Sequence, residues 1–465
     1  MKNHVVELLS LAVILLAVAS CRPFKPHVRQ SPAGELPDMF SLYTAATEPA
    51  KRWWEEFNDP ELNALVIEML SDNLSLKEAW SRLDEVRALA VQAGAALYPD
   101  LTGTAGASYV RQRSKNGIGK TESTDNYFLG GVSSYELDLW GRIRSGRKSA
   151  LLEASATRED VSTAAMTLAA EVVQRWVNII AQQMQKRLLE HQLQTNLTFL
   201  ELVELRFHMA MVSVLDVYQQ KQIVEDIKAE IPLVEAREQL LRHELALLLG
   251  KPPQTVLDIN REGLPKPVEI PAIGLPADLL SARPDLRAAG MRLWAADWQV
   301  AAARADRLPA IRLTAQAHYG EADVDVLFDN WLISLAGNLT APIFDGKRRA
   351  AEVDRRLAIV DENVAAYRQT VLTAIKEVED ALVTEAKQRE HIKWLEKVTD
   401  TARKALTEAG NRYRKGLNDY LPVLTQLLTV QDLERELIRQ QANLLEARIS
   451  LYRALGGTWT QSLTH

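Results

Sequence analysis

From Arg147 to Met209 the chain contains neither glycine nor proline, and from Lys347 to Ala409 it again contains neither, 63 residues in each stretch. Both are rich in Ala, Leu, Glu, Gln, Lys and Arg, which lose little side-chain freedom in a helix. Apolar residues recur at spacings of three and four, as in Val173, Trp176 and Ile180, then Leu189, Leu193, Leu197 and Leu200. At about 1.5 Å per residue each stretch predicts a helix of roughly 95 Å. A globular helix averages about 11–12 residues. A rod this long is stable only against similar rods, in a coiled coil or a helical tube.

The long stretches are two copies of one pattern. Pro99, Ala105, Ala107 and Tyr109 recur as Pro309, Ala315, Ala317 and Tyr319 at an offset of 210. Gly141 recurs as Gly346 at 205, and Glu171, Arg206, Leu215 and Gly250 recur as Glu377, Arg412, Leu421 and Gly456 at 206. A steady offset over this span indicates internal duplication, and the drop after Tyr109 marks a variable loop. Repeat 1 covers 59–250: a helix, strands near 99–110 and 125–139, and helices 141–209 and 213–249. Repeat 2 covers 277–457: a helix, strands near 309–320 and 330–343, and helices 346–409 and 418–456. A proline-rich linker, 251–276, predicts extended surface backbone, and 458–465 form a tail. Gly410 and Gly416 bracket the turn between the second pair of long helices, and copy one has Ala210 where Gly416 stands. Trp53 and Trp54 are expected to pack the N-terminal segment against the helices rather than to box a ligand.

Residues 1–20 read as an export signal: Lys2 and His4 precede an apolar run, Leu8 to Ala19, that is too short to span a bilayer. The run ends at Val18-Ala19-Ser20-Cys21, which resembles a bacterial lipobox whose cysteine is acylated. Cys21 is the only cysteine of 465 residues, so no internal disulfide is available. Residues 21–58 are then a lipid-anchored N-terminal segment. In lipoproteins of two-membrane bacteria an aspartate after the cysteine retains the protein at the inner membrane. Here the residue is Arg22, which implies the outer membrane. Net charge is −6, so no general field favours nucleic acid. The eight histidines show no metal-ligand spacing. No catalytic constellation stands out, so no enzyme activity is expected, and no cofactor beyond a covalent lipid such as palmitate on Cys21.

The short segments alternate with period two. Ile311, Leu313, Ala315, Ala317 and Tyr319 interleave with Arg312, Thr314, Gln316 and His318. Such alternation suits both a half-buried soluble sheet and a membrane β-barrel, with Tyr and Trp at the water–lipid boundary. Four strands cannot close a barrel, and open edges are costly in lipid. If the strands lie in membrane, several chains share one barrel, and three chains supply twelve strands. The expected fold is therefore a mainly α, α+β membrane protein. If three chains share the barrel, it is a homotrimer with a twelve-stranded β-barrel, four strands per chain, continuous with a long periplasmic helical barrel.

Several motifs resemble outer-membrane factor lipoproteins of the TolC/OprM kind. They include Trp53-Trp54-Glu55-Glu56-Phe57, Tyr135-Glu136-Leu137-Asp138-Leu139-Trp140-Gly141, Ala282-Arg283-Pro284-Asp285-Leu286, Ala341-Pro342-Ile343-Phe344-Asp345-Gly346 and Asn418-Asp419-Tyr420-Leu421. The resemblance covers residues about 50 to 460. It implies a passive exit duct of a tripartite efflux system, with a periplasmic adaptor and an inner-membrane RND-type pump as partners. It also implies closure at the periplasmic helix ends by polar and ionic contacts. Those ends fall near Arg206 to Asp216 and Gly410 to Leu424. Asp216 follows Leu215, as the family's gate pattern asks; in copy two the residue after Leu421 is Pro422. Asp216, helped by Asp419, is the expected gate, and a carboxylate ring from three chains can make opening pH-sensitive. Alternative readings are a duct for polypeptide secretion, a lipid-anchored periplasmic adaptor, or a coiled-coil scaffold. Nothing in the sequence names the cargo.

Overall fold

The computed structural model describes residues 23–26, 33–34, 36–41, 52–113, 121–259, 261–266 and 274–464. The signal segment and Cys21 lie outside the described residues.

The elements appear in the same order twice. In copy one, α1 (Pro60–Asp72) and α2 (Leu74–Ala95) precede β1 (Asp100–Arg113) and β2 (Thr121–Leu137), followed by α3 (Arg142–His208) and α4 (Val214–Leu248). In copy two, a one-turn helix (Leu279–Ala282) and α5 (Pro284–Ala305) precede β3 (Ala310–Glu321), β4 (Trp331–Thr340), α6 (Arg348–Arg414) and α7 (Leu421–Leu455). Corresponding helices match in length: 67 residues for α3 and α6, 35 for α4 and α7, and 22 for α2 and α5. At the usual rise α3 and α6 are each about 100 Å long. Among the described residues no helix is long and apolar enough to cross a membrane.

The backbone punctuation is also duplicated. Gly141 (φ 78°) and Gly346 (φ 62°) precede the two long helices. Carboxylates then cap them. Asp138 accepts from the N–H groups of Ile143 and Arg144 at 3.0 and 2.9 Å, and Asp345 accepts from that of Arg349 at 3.3 Å. Both meet donors that have no partner within the helix. At the far ends, Met211 N–H donates to Arg206 C=O and Ala210 N–H to Phe207 C=O; Leu417 and Gly416 repeat this onto Arg412 and Tyr413. These are paired six-to-one and five-to-two closures, which need a left-handed residue. Gly416 supplies it at φ 71°, whereas copy one forces Ala210 to φ 52°. An L-residue there costs about 1–2 kcal/mol. Ala210→Gly is therefore expected to stabilise the chain by about 0.5–1 kcal/mol, after the greater entropy glycine loses on folding. A higher midpoint of thermal unfolding would show it; an unchanged or lower one would mean that the turn carries no strain.

One boundary differs from the sequence reading. Gly410 marks no helix end: α6 runs through it to Arg414. Termination is set by the left-handed residue at Gly416. A side chain at Gly410 would meet nothing within 4 Å, so that glycine answers no local steric demand.

The chain forms two compact units. The first comprises residues 1–34, 82–158 and 288–368 and contains all four strands. Its helical part has a small apolar core of Leu293, Ala296 and Val300 on α5 with Val360 on α6.

The second unit comprises residues 35–81, 159–287 and 369–465. Val173, Trp176 and Ile180 of α3 are wholly buried there. Farther along α3 the buried stripe is not the leucine row. Of Leu189, Leu193, Leu197 and Leu200 only Leu189 is fully buried, and the deepest neighbours are Gln192 and Asn196, at 2% and 0% exposure. Their amides find carbonyl acceptors, which removes the usual penalty for burying them. Trp53 stacks on Tyr452 at 5.1 Å between centroids, and Trp54 meets Trp459 edge-on at 4.8 Å. Both indoles are buried, so they pack the N-terminal segment against α7 and the C-terminal tail. The described part of the linker is strapped down. Gln183 donates to Ile259 C=O at 2.8 Å, Arg187 to Glu262 C=O at 2.8 Å, and Arg242 to Leu257 C=O. Leu257 and Ile259 are buried under it, so this segment is anchored at alternate residues.

Candidate functional site

Two features are candidate functional sites, the sheet of the first unit and the paired helix turns of the second. The sheet has the order β1-β2-β3-β4 and is antiparallel throughout. Its register keeps the alternation in phase across the strands. Leu129, Tyr319 and Trp331 form one cross-strand row, Gly131, Ala317 and Ile333 the next, then Ser133, Ala315 and Leu335, then Tyr135, Leu313 and Gly337. None of these residues is charged. The opposite face carries the rows of Thr104, Gly130 and His318, of Ser134 and Thr314, and of Glu136, Arg312 and Asn338. Val110, Val132 and Leu332 also stand on that polar face, as does Phe128. Its ring fills the space above Gly106, where a Cβ would come within 2.6 Å of it.

The uncharged face has aromatic rings at both levels. Tyr319, Trp331 and Tyr127 mark one, and Tyr135 the other. Eight residues of β2 separate Tyr127 from Tyr135, about 27 Å along the strand; a tilt of about 40° makes that roughly 21 Å of height, against the ~25 Å apolar band of a membrane barrel. Among the described residues β1 and β4 each pair on one side only. At the base of the sheet Glu136 accepts from Arg142 at 2.8 Å, and the Trp140 indole donates to Pro309 C=O at 2.7 Å, tying the two copies together.

In the second unit the two helix turns share one apolar cluster. Leu189 and Val203 of α3, Ile223 and Ile227 of α4, Tyr413 of α6, Tyr420, and Val423 and Leu424 of α7 are all buried in it. Arg206 lies over the Tyr413 ring at 4.2 Å. Tyr420 donates to Gln220 Oε1 at 2.5 Å, and Gln220 donates in turn to Asn196 C=O at 2.8 Å. Burial pushes the Tyr420 hydroxyl far above the usual tyrosine range, and the nearby Tyr413 and Asp216 add to the shift. That phenol stays protonated and remains a donor at any physiological pH.

Asp216 sits in the third position of α4, half-buried. Its carboxylate accepts from Ser213 N–H at 2.9 Å while the Ser213 hydroxyl accepts from Asp216 N–H at 3.4 Å, a capping box. Asp419 is exposed in the turn before α7. The two acids therefore belong to adjoining turns, but the first has a local structural task. Of the residues that link the turns, Arg206 and Tyr420 entered the sequence reading only as repeat and motif positions, and Asn196 and Gln220 not at all. The spacing Ser213-x-x-Asp216 is a capping-box signal that was not read from the sequence.

The model of the family described as outer membrane efflux protein matches residues 65–251 and 275–457. The chain belongs to this family. Its two matched stretches flank the linker. Similar proteins include the pyoverdine export outer membrane protein OpmQ of Pseudomonas aeruginosa, 32% identical over 417 residues and 88% of each chain. The toluene efflux pump outer membrane protein TtgI of Pseudomonas putida is 32% identical over 453 residues, covering 95% of this chain and 94% of that one. Among solved structures, the outer-membrane channel OprN superposes with a TM-score of 0.85 at 27% identity, covering 94% of this chain and 98% of that one. CusC, solved in a study of transmembrane channel formation, gives 0.85 at 27%, covering 93% and 99%. As an outer membrane efflux protein the chain has the TolC-like channel fold, and its place is the outer membrane. The relatives are channel proteins, not enzymes.

Proposed function

We propose that three copies of this chain pool their sheets into one twelve-stranded barrel, β1 of one protomer pairing with β4 of the next. The assembly is a passive exit duct for small molecules delivered by an inner-membrane pump through a periplasmic adaptor. One observation carries the reading: a four-stranded sheet with an uncharged, aromatic-bounded face and two unpaired edges. In lipid each unpaired backbone group costs several kcal/mol, so the edges require partners. Acylation of Cys21 anchors the N-terminal segment in the same membrane. The helix turns form the closure, with Asp216 and Asp419 from three chains near the axis. The exposed Asp419 and the half-buried Asp216 beside Tyr420 support that role.

Detergent-solubilised protein should cross-link to three chains and carry ion current in a planar bilayer; a silent monomer would overturn the duct. Radiolabelled palmitate should be incorporated, and Cys21→Ser should abolish it. Asp216→Asn keeps a capping acceptor and removes only the charge. It is expected to raise closed-state conductance, on the order of twofold, by removing one of the ionic contacts that draw the helix ends together. Unchanged conductance would assign Asp216 to capping alone.

A further inference from the structure

Asn178, Gln185 and Gln192 stand seven residues apart on α3, and each reaches across to α7. Asn178 donates to Glu446 Oε1 at 2.7 Å, Gln185 to Arg435 C=O at 2.6 Å, and Gln192 to Gln431 C=O at 3.2 Å. The acceptor number falls as the donor number rises, as antiparallel helices require. Fourteen residues of α3 (178 to 192) thus match fifteen of α7 (431 to 446). Gln185 and Gln192 are 7% and 2% exposed, amid the wholly buried Ile180 and Leu189.

Seven-residue spacing is that of core positions in a coiled coil, where a polar residue lowers stability and fixes register. Two of these acceptors are main-chain carbonyls, which keep a lone pair free after their own helical bond. Such an acceptor stands at one height and one angle only. Sliding α7 by a residue turns it through about 100° and carries both carbonyls away. The buried amides would then lack partners, whereas leucines would accept many registers equally well. The row continues into the turns. Asn196 donates to Gln192 C=O at 2.8 Å, Gln220 donates to Asn196, and Tyr420 donates to Gln220. It ends one residue from Asp419 and within electrostatic reach of Asp216.

We propose that Asn178, Gln185 and Gln192 are positioning residues of the closure. They set the axial register of the second helical hairpin on the first, and so the height at which the Asp419 turn meets the Asp216 turn. The proposal rests on the reading of these turns as the gate. It differs from simple stabilisation because polar residues at core positions are dispensable for stability.

The test is the full-length trimer carrying Gln185→Leu and Gln192→Leu together, recorded in planar bilayers beside the wild type. Gln183→Leu is the control, on the same helix but bonded to the linker. The double variant should keep or raise its heat-dissociation midpoint. Its closed state should split into several conductance levels, the highest on the order of twofold above wild type. The control should show the wild-type level alone. If the leucine pair does not assemble, Gln185→Met with Gln192→Met preserves side-chain length and answers the same question. A heat-stable double variant with one unchanged level overturns the proposal. Failure of both pairs to assemble overturns it too, since the amides would then be needed for folding. Absence of current in the wild type instead removes the duct on which the proposal rests.

Discussion

Gly250→Ala is expected to cost about 2–4 kcal/mol per protomer, with Gly456→Ala somewhat milder. Both residues have left-handed backbone, at φ 69° and 80°. Both also press main chain against main chain. A Cβ on Gly250 would lie 2.4 Å from Asp72 C=O, and one on Gly456 2.9 Å from Ala282 C=O. A backbone oxygen cannot swing aside like a lysine tip, so the helix ends must part. The joint is also polar: Asn73 donates to Leu248 C=O at 2.7 Å while its own oxygen accepts from Leu76 N–H at 2.9 Å. Parting the ends therefore strains a cap as well. Denaturant or thermal unfolding of the solubilised protein reads the loss. Gly146→Ala is the internal control of opposite sign, because it lies within α3 with nothing within 4 Å of a Cβ. It should gain up to about 1 kcal/mol from helix propensity. Equal effects at 146 and 250 would mean that the close approach is not tight in the assembled protein.

The same pair of glycines shows why the duplication was legible. Gly250 and Gly456 are 206 residues apart, and their contacts Asp72 and Ala282 are 210 apart, two of the offsets found in the sequence. Repeats preserve the residues that the backbone cannot do without. The long helices were legible for a similar reason: nothing interrupts them, and their period persists. The four strands follow from alternation, although alternation alone leaves a soluble sheet and a membrane sheet equally open. Register and phase separate them, by leaving only uncharged residues on the face that runs from Tyr127 to Leu137 and from Ile311 to Tyr319.

What the sequence concealed lies in partners far apart along the chain. Gln192 and Asn196 look like surface residues in any short window. They are buried because the acceptor of Gln192 is 239 residues away and the donor to Asn196 is Gln220, on the next helix. A helix with neighbours on several sides needs more than one buried stripe, and amides fill it where carbonyls are in reach. The role of Asp216 was also divided by structure. A carboxylate in the third position of a helix after serine is a cap first, whatever it does at a closure. The turn at Gly410 was misplaced because a glycine is a weak stop where nothing crowds it.

Glu385→Ala is expected to cost about 3–5 kcal/mol, the loss typical of stranding one member of a buried ion pair. Glu385 on α6 is 0% exposed and Arg448 on α7 is 2% exposed. Arg448 grips the carboxylate with two bonds, Nε to Oε2 at 2.9 Å and Nη2 to Oε1 at 2.6 Å, and Arg389 adds two to Oε1 at 3.0 and 2.9 Å. Without Glu385 the half-exposed Arg389 turns to water, but Arg448 does not have that escape. The double variant Glu385→Leu with Arg448→Met removes both charges and fills the space. It should recover most of the loss, because desolvating two ions offsets much of their attraction. Urea unfolding of the wild type, both single variants and the double variant gives the coupling directly. If the double variant is at least as stable as wild type, the ion pair serves to choose which faces of α6 and α7 meet. If it remains as unstable as Glu385→Ala, the bidentate grip itself holds the hairpin closed. A single variant costing under about 1 kcal/mol would mean that water reaches Arg448 in the assembled protein.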